Sequence, residues 1–202
     1  MKIIKTYNQI TESHKHKHKE NIELLTQDQI DWCDNHLTFS DWEVTKDGTI
    51  EYSTAGGMHS LVWLKGNFKS MPVKFEPCTS FKIEDNEDLE DLTGCPDEVL
   101  TTYSLTNCPN LKSLVGGPTK AGRVMIENCG IKDMKGCPTE GTELYLVTKC
   151  KDLESIMGIP HRFNPDKIFV SQNKTDFDKL KDDFARGYTD EDYEDYEKEW
   201  TF

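Results

Sequence analysis

Three cysteines, Cys108, Cys129 and Cys150, recur at intervals of 21 residues, and thiolates in one column are what a metal centre would use. Small, apolar thiols packed on neighbouring strands account for the same spacing, and that is the reading adopted. Cys95 and Cys137 sit in Gly-x-Pro turns and read as packing residues too. Seven cysteines is an odd number, and the N-terminus lacks the apolar core of a secretory signal; the expectation is reduced thiols in a cytoplasm. His14, His16 and His18 alternate with lysines in Ser13–Lys19, SHKHKHK, a tract that fixes no ligand geometry and reads as linker. His36, His59 and His161 are scattered, with no carboxylate partner identifiable. P-loop, Gly-x-Gly-x-x-Gly, His-Glu-x-x-His, Gly-x-Ser-x-Gly and Cys-x-x-Cys patterns are all missing. The expectation is therefore no enzyme, with no catalytic, cofactor-binding or metal-binding residue and no cofactor.

The elements that carry these cysteines explain them. One pattern recurs six times, as Val62-x-Leu64-x-x-Asn67, Phe81-x-Ile83-x-x-Asn86, Tyr103-x-Leu105-x-x-Cys108, Val124-x-Ile126-x-x-Cys129, Tyr145-x-Val147-x-x-Cys150 and Ile168-x-Val170-x-x-Asn173. The final column advances by 19, 22, 21, 21 and 23 residues. Four copies continue to an apolar pair, Leu89/Leu92, Leu111/Leu114, Ile131/Met134 and Leu153/Ile156, and then to Gly-x-Pro; the first ends instead in Phe68, Met71 and Pro72. This is the L-x-L-x-x-N/C-x-L spacing of a leucine-rich repeat. Alternation predicts a short strand with one buried side, after which the Asn or Cys turns the chain while occupying the interior. A coil of about 21 residues has no room for a return helix, so the return should be turns or 3₁₀. The predicted fold class is a β-rich α/β solenoid of leucine-rich-repeat-like parallel β coils, in which stacking makes the core.

The flanks read as ends of the coil stack. Residues 1–23 form an N-terminal segment. In residues 24–57, Thr26 and Gln29 make a capping box, with Ile30, Cys33 and Leu37 on one face of a helix over about 27–37. Trp42/Val44 and Ile50/Tyr52 alternate about Lys46-Asp47-Gly48, a hairpin signature. Helix and hairpin would cap the first coil, and Gly56-Gly57 separates them from a solenoid over 58–174. In the segment 175–202, Phe177, Leu180 and Phe184 suit a helix closing the last coil, ended by Gly187. Thr189 then caps a stretch whose Tyr193, Tyr196 and Trp200 share a face. Eleven acids against four bases between 176 and 199 make this C-terminal helical cap or tail strongly acidic.

The order of parts resembles a family of bacteriophage proteins with leucine-rich-repeat-like coils, on Trp32-Cys33, Asp47-Gly48 and the four Gly-x-Pro coils, over roughly residues 24 to 175. That resemblance implies a fold and a phage origin and supplies no activity. The degenerate columns depart from it and point to a distinct partner. Residues 5–12, KTYNQITE, resemble the capsid-targeting peptide of internal head proteins in T-even-like phages, which begins Met-Lys-Thr-Tyr-Gln-Glu-Phe and is cut after Ile/Leu-x-Glu. Ile10-Thr11-Glu12 fits the cleavage pattern, which implies processing between Glu12 and Ser13.

A formal net charge of -13 argues against a phosphate-binding surface, so no direct nucleic-acid binding is expected. No run of 18 apolar residues exists, so no membrane span is expected. Three functions follow in order of preference. The first is a protein-binding module engaging a host or phage protein in the host cytoplasm. The second is a virion-internal accessory protein packaged in the head, and the third an acidic nucleic-acid mimic. Neither the partner's identity nor the oligomeric state is written in the sequence. The expected binding surface is the concave strand face, which carries Trp63, Lys65, Lys82, Glu84, Ser104, Thr106, Met125, Glu127, Leu146, Thr148, Phe169 and Ser171. Met125, Leu146 and Phe169 should form an apolar patch there, with Trp63, Glu127, Thr148 and Ser171 completing the partner-binding set; the alternative is that the C-terminal helix folds back and covers the patch through Tyr193, Tyr196 and Trp200.

Overall fold

Alternating apolar residues need a second strand to satisfy their backbone and a second layer to bury their side chains, and this chain meets both needs by coiling on itself. The computed structural model describes residues 20–38, 42–52, 61–160 and 163–171. After a 3₁₀ turn (Ile22–Leu24) come helix α1 (Gln27–His36) and strands β1 (Trp42–Val44) and β2 (Ile50–Tyr52). Strands β3 (Leu61–Lys65), β4 (Cys78–Glu84), β5 (Glu98–Cys108), β6 (Lys120–Cys129), β7 (Leu144–Thr148) and β8 (Ile168–Ser171) follow. The last six form one sheet in the order β3-β4-β5-β6-β7-β8, and every pair in it is parallel. Each strand pairs with the next in sequence, so every return brings the chain back to the same end one strand over, which builds a solenoid.

The register follows the sequence repeat. Leu64, Ile83, Leu105, Ile126, Val147 and Val170 are successive partners, and none is more than 5 % exposed. The returns between β4 and β7 are turns without a helix. They turn inward Leu89/Leu92, Leu111/Leu114 and Ile131/Met134, and the return after β7 turns in Leu153/Ile156, all buried. A 3₁₀ turn over Pro165–Lys167 precedes β8. The Gly-x-Pro glycines mark where one coil meets the backbone of the coil before it. Gly158 has φ +111°, and a Cβ there would lie 2.2 Å from the Met134 carbonyl oxygen; only glycine permits that approach.

The corner after each strand holds a pattern that apolar spacing alone does not reveal. Gly66, Asp85, Asn107, Asn128 and Lys149 all have positive φ, and each stands just before the Asn/Cys column. Asn107 Nδ2 donates to Asp85 Oδ1 at 2.7 Å, and Asn128 Nδ2 to Asn107 Oδ1 at 2.9 Å, so the left-handed residues are themselves laddered. Asn and Asp tolerate this conformation better than other side chains, and their amides repay it locally.

One member of the column departs from expectation. Asn86 is fully buried; its Oδ1 accepts from the backbone N–H groups of Phe68 (3.2 Å) and Asp88 (3.0 Å), and its Nδ2 donates to the Phe68 carbonyl at 2.9 Å. Asn67, by contrast, is exposed and accepts from Glu87 N–H at 3.0 Å. It stands in the first coil, with no earlier coil offering backbone groups to an inward amide. Phe68 turns in instead, its ring 5.1 Å from Trp32 and 4.9 Å from His36. Asn173, like the segments 1–19 and 172–202, lies outside the described residues.

Helix α1 begins at the capping box: Gln29 N–H donates to Thr26 Oγ1 at 3.3 Å, and Thr26 N–H to Gln29 Oε1 at 2.9 Å. Its C-terminal end meets β3, where Leu37 bridges Leu64 in antiparallel fashion. Thr38 N–H and Oγ1 both donate to the Trp63 carbonyl, at 3.0 and 2.9 Å, and His36 Nδ1 donates to Lys65 O at 2.9 Å. The antiparallel pair β1-β2 continues onto the first return through Ile50, whose N–H donates to Lys74 O and whose carbonyl accepts from Glu76 N–H, at 2.8 and 2.9 Å.

Candidate partner-binding face

Side chains alternate along a strand, so the residues between the buried ones share the outer face of the sheet. Its middle row runs Trp63, Lys82, Ser104, Met125, Leu146 and Phe169, each opposite the next. A second row runs Lys65, Glu84, Thr106, Glu127, Thr148 and Ser171. The two ends of the face differ in chemistry.

At the β3-β4 end, Glu84 holds a closed charge cluster. Trp63 Nε1 donates to its Oε2 at 3.1 Å, and Lys82 and Lys65 pair with its carboxylate at 3.1 and 3.9 Å. The same two ammonium groups lie 4.0 Å (Lys65) and 4.8 Å (Lys82) from the centre of the Trp63 ring. At the β6-β8 end stand Met125, 37 % exposed, and Phe169, 51 % exposed, with the half-buried Leu146 between them. Beside this apolar row Glu127 is already neutralised by Lys149 at 2.6 Å.

The structure thus brings Met125, Glu127, Leu146, Thr148, Phe169 and Ser171 onto three adjacent strands. Trp63 lies three strands from Met125, about 15 Å at the usual strand spacing, with Lys82 and Ser104 intervening. Glu12 and Ser13 lie outside the described residues. Residues singled out by the structure alone are Arg123, Leu144 and Lys167. Arg123 is two residues before Met125 and opposite Leu144, and Lys167 is two residues before Phe169. Both bases are exposed, and neither makes an ion pair with any described residue. Counting the strand alternation two residues further back would have found Arg123 and Leu144, whereas Lys167 stands in the 3₁₀ turn before β8.

The cysteine column faces the interior. All seven thiols are free and buried. Burial pushes Cys78, Cys95 and Cys137 up to about 12 and Cys150 to about 11, so they remain neutral thiols near pH 7. A hydrogen bond to Cys108, reinforced by burial, keeps Cys129 protonated. Cys108, Cys129 and Cys150 donate to the carbonyls of Thr106, Glu127 and Thr148, two residues earlier, at 3.6, 3.4 and 3.5 Å. No group of three or more His, Cys, Asp or Glu side chains is arranged to hold a metal ion among the described residues. No helix among them is long and apolar enough to cross a membrane. A cleft of 350 Å³ runs over the Gly-x-Pro turns at Gly116, Gly136 and Gly158, lined otherwise by small, apolar and threonine side chains.

No protein family, no curated protein and no solved structure matches this chain.

Proposed function

We propose that this chain is a non-enzymatic protein-binding module with leucine-rich-repeat-like coils, capped at its first coil by α1 and the β1-β2 hairpin, that engages a host protein through the outer, concave face of its sheet. The partner class is a host defence or regulatory factor met in the host cytoplasm, in keeping with the phage resemblance of the sequence. The observation that carries the reading is the apolar row Met125, Leu146 and Phe169, held in register on three strands with Met125 and Phe169 exposed on either side of a half-buried Leu146. The coil needs only solvated side chains at these positions, so burial of the core does not explain them, and apolar patches with polar rims are characteristic of partner sites. An aromatic flanked by Leu and Met is a common anchor composition.

The test uses the full chain with Phe169→Ser and Leu146→Ser together, as bait in infected host cells. Capture of a defined partner should be lost while the melting temperature stays within about 4 °C of the parent, as for surface substitutions costing under 1 kcal/mol. A large loss of stability, or undiminished capture, refutes the reading.

The Ile10-Thr11-Glu12 sequence favours a second reading, a virion-internal accessory protein. On that reading, protein recovered from purified particles begins at Ser13. Its absence from particles, or an intact Met1 there, removes it.

A further inference from the structure

We propose that the chain's own acidic C-terminal segment, residues 189–202, covers the Met125, Leu146 and Phe169 row and competes with a partner for it. The proposal rests on the reading of that row as the binding face and names what regulates it.

Three observations select this occupant. The first is position: the described chain ends at Ser171 in β8, the edge strand that carries Phe169, and 31 residues follow. The distance to cover is small. Phe169 and Met125 are two strand spacings apart, about 10 Å, whereas the 22 residues from Ser171 to Tyr193 reach about 70 Å when extended.

The second is charge. Glu84 and Glu127, the acids of the face, are already paired with lysines, while Arg123 and Lys167 beside the apolar row have no acidic partner among the described residues. Residues 190–199, DEDYEDYEKE, hold seven acids and one base, which complements those two cations. The N-terminal segment 1–19 holds five lysines and one acid and would be repelled by them; it also joins the described chain at the opposite end of the sheet.

The third is the apolar component. Tyr193, Tyr196 and Trp200 recur at intervals of three and four, the spacing that puts side chains on one face of a helix. As a helix, that spacing would offer an aromatic strip to the apolar row. Attachment to the same chain raises the effective concentration of the segment to about millimolar, so modest contacts suffice.

The experiment places a photoreactive benzophenone amino acid at Ser104, which borders Met125 on the row without belonging to the apolar trio, in the full chain. Equal amounts of light and heavy isotope-labelled protein are mixed and cross-linked. The expected products join position 104 to residues 189–202 within one chain. Their yield should fall about tenfold with Tyr193→Ser, Tyr196→Ser and Trp200→Ser combined, as loss of buried aromatic contacts requires, and should also fall with Arg123→Glu. Absence of these cross-links, a predominance of light–heavy pairs that marks a second copy as the occupant, or indifference to the aromatic substitutions overturns the proposal. Partner capture is scored separately. The triple-serine variant should capture more partner than the parent, whereas cross-links that persist in a chain capturing nothing sink the partner reading and leave the intramolecular contact standing.

Discussion

Replacing Asn86 with Ala removes a fully buried side-chain amide and strands the three backbone groups it serves. These are the N–H groups of Phe68 and Asp88 and the carbonyl of Phe68, met at 3.2, 3.0 and 2.9 Å. A buried backbone group left unsatisfied costs about 1 to 3 kcal/mol. The two Phe68 groups are buried with the amide, whereas the Asp88 contact is only part-buried and water can replace it. The expected loss is therefore about 3 to 4 kcal/mol, weighted to the Phe68 pair. At a urea dependence of about 2 kcal/mol per molar, the unfolding midpoint should fall by about 1.5 to 2 M. Urea titration followed by tryptophan fluorescence measures this, since Trp32 packs on Phe68. Asn67→Ala is the matched control. Its hydrogen bond to Glu87 N–H is exposed, so the loss should stay within about 0.5 kcal/mol, as for surface positions. Asn86→Cys should fall between the two: three other coils hold a cysteine here, but a thiol cannot replace the paired donor and acceptor of the amide. Equal midpoints for Asn86→Ala and Asn67→Ala would refute the account of the column as a corner that satisfies the preceding coil.

Other consequences of the coil geometry can be checked with the same material. Ile126, 1 % exposed and flanked in register by Leu105 and Val147, should lose about 2 to 5 kcal/mol as Ile126→Ala; an unchanged melting curve would show the register to be wrong. The thiols should be inert to a disulfide reagent at pH 8 in the folded protein and react, all seven, in denaturant. Their pKa values also set a sign. Unfolded thiols titrate near 9.0 and folded Cys78, Cys95 and Cys137 at about 12, so the folded state holds its protons longer. The stability this contributes is whole below pH 9 and declines as pH rises toward 12. A midpoint in urea that rose between pH 9 and 11 would contradict it.

Much of the coil was written into the chain, because a strand's two-residue alternation and a nearly constant coil length are local properties that add up over six copies. The inward column from Leu64 to Val170 and the apolar pairs of the returns follow from them, as does the adjacency of Met125, Leu146 and Phe169 once the register is known, while the capping box of α1 is written in its own Thr26 and Gln29. Only the tertiary structure could decide matters that depend on what an adjoining coil supplies. Asn67 and Asn86 carry the same side chain at the same point of the motif, yet one is exposed and the other buried, because an amide turns inward where an earlier coil presents backbone groups to it. The left-handed residues Asp85, Asn107 and Asn128 ladder because stacking sets them one above another. Trp63 separates from the apolar row because distance across a sheet counts strands, while the sequence counts residues along a coil.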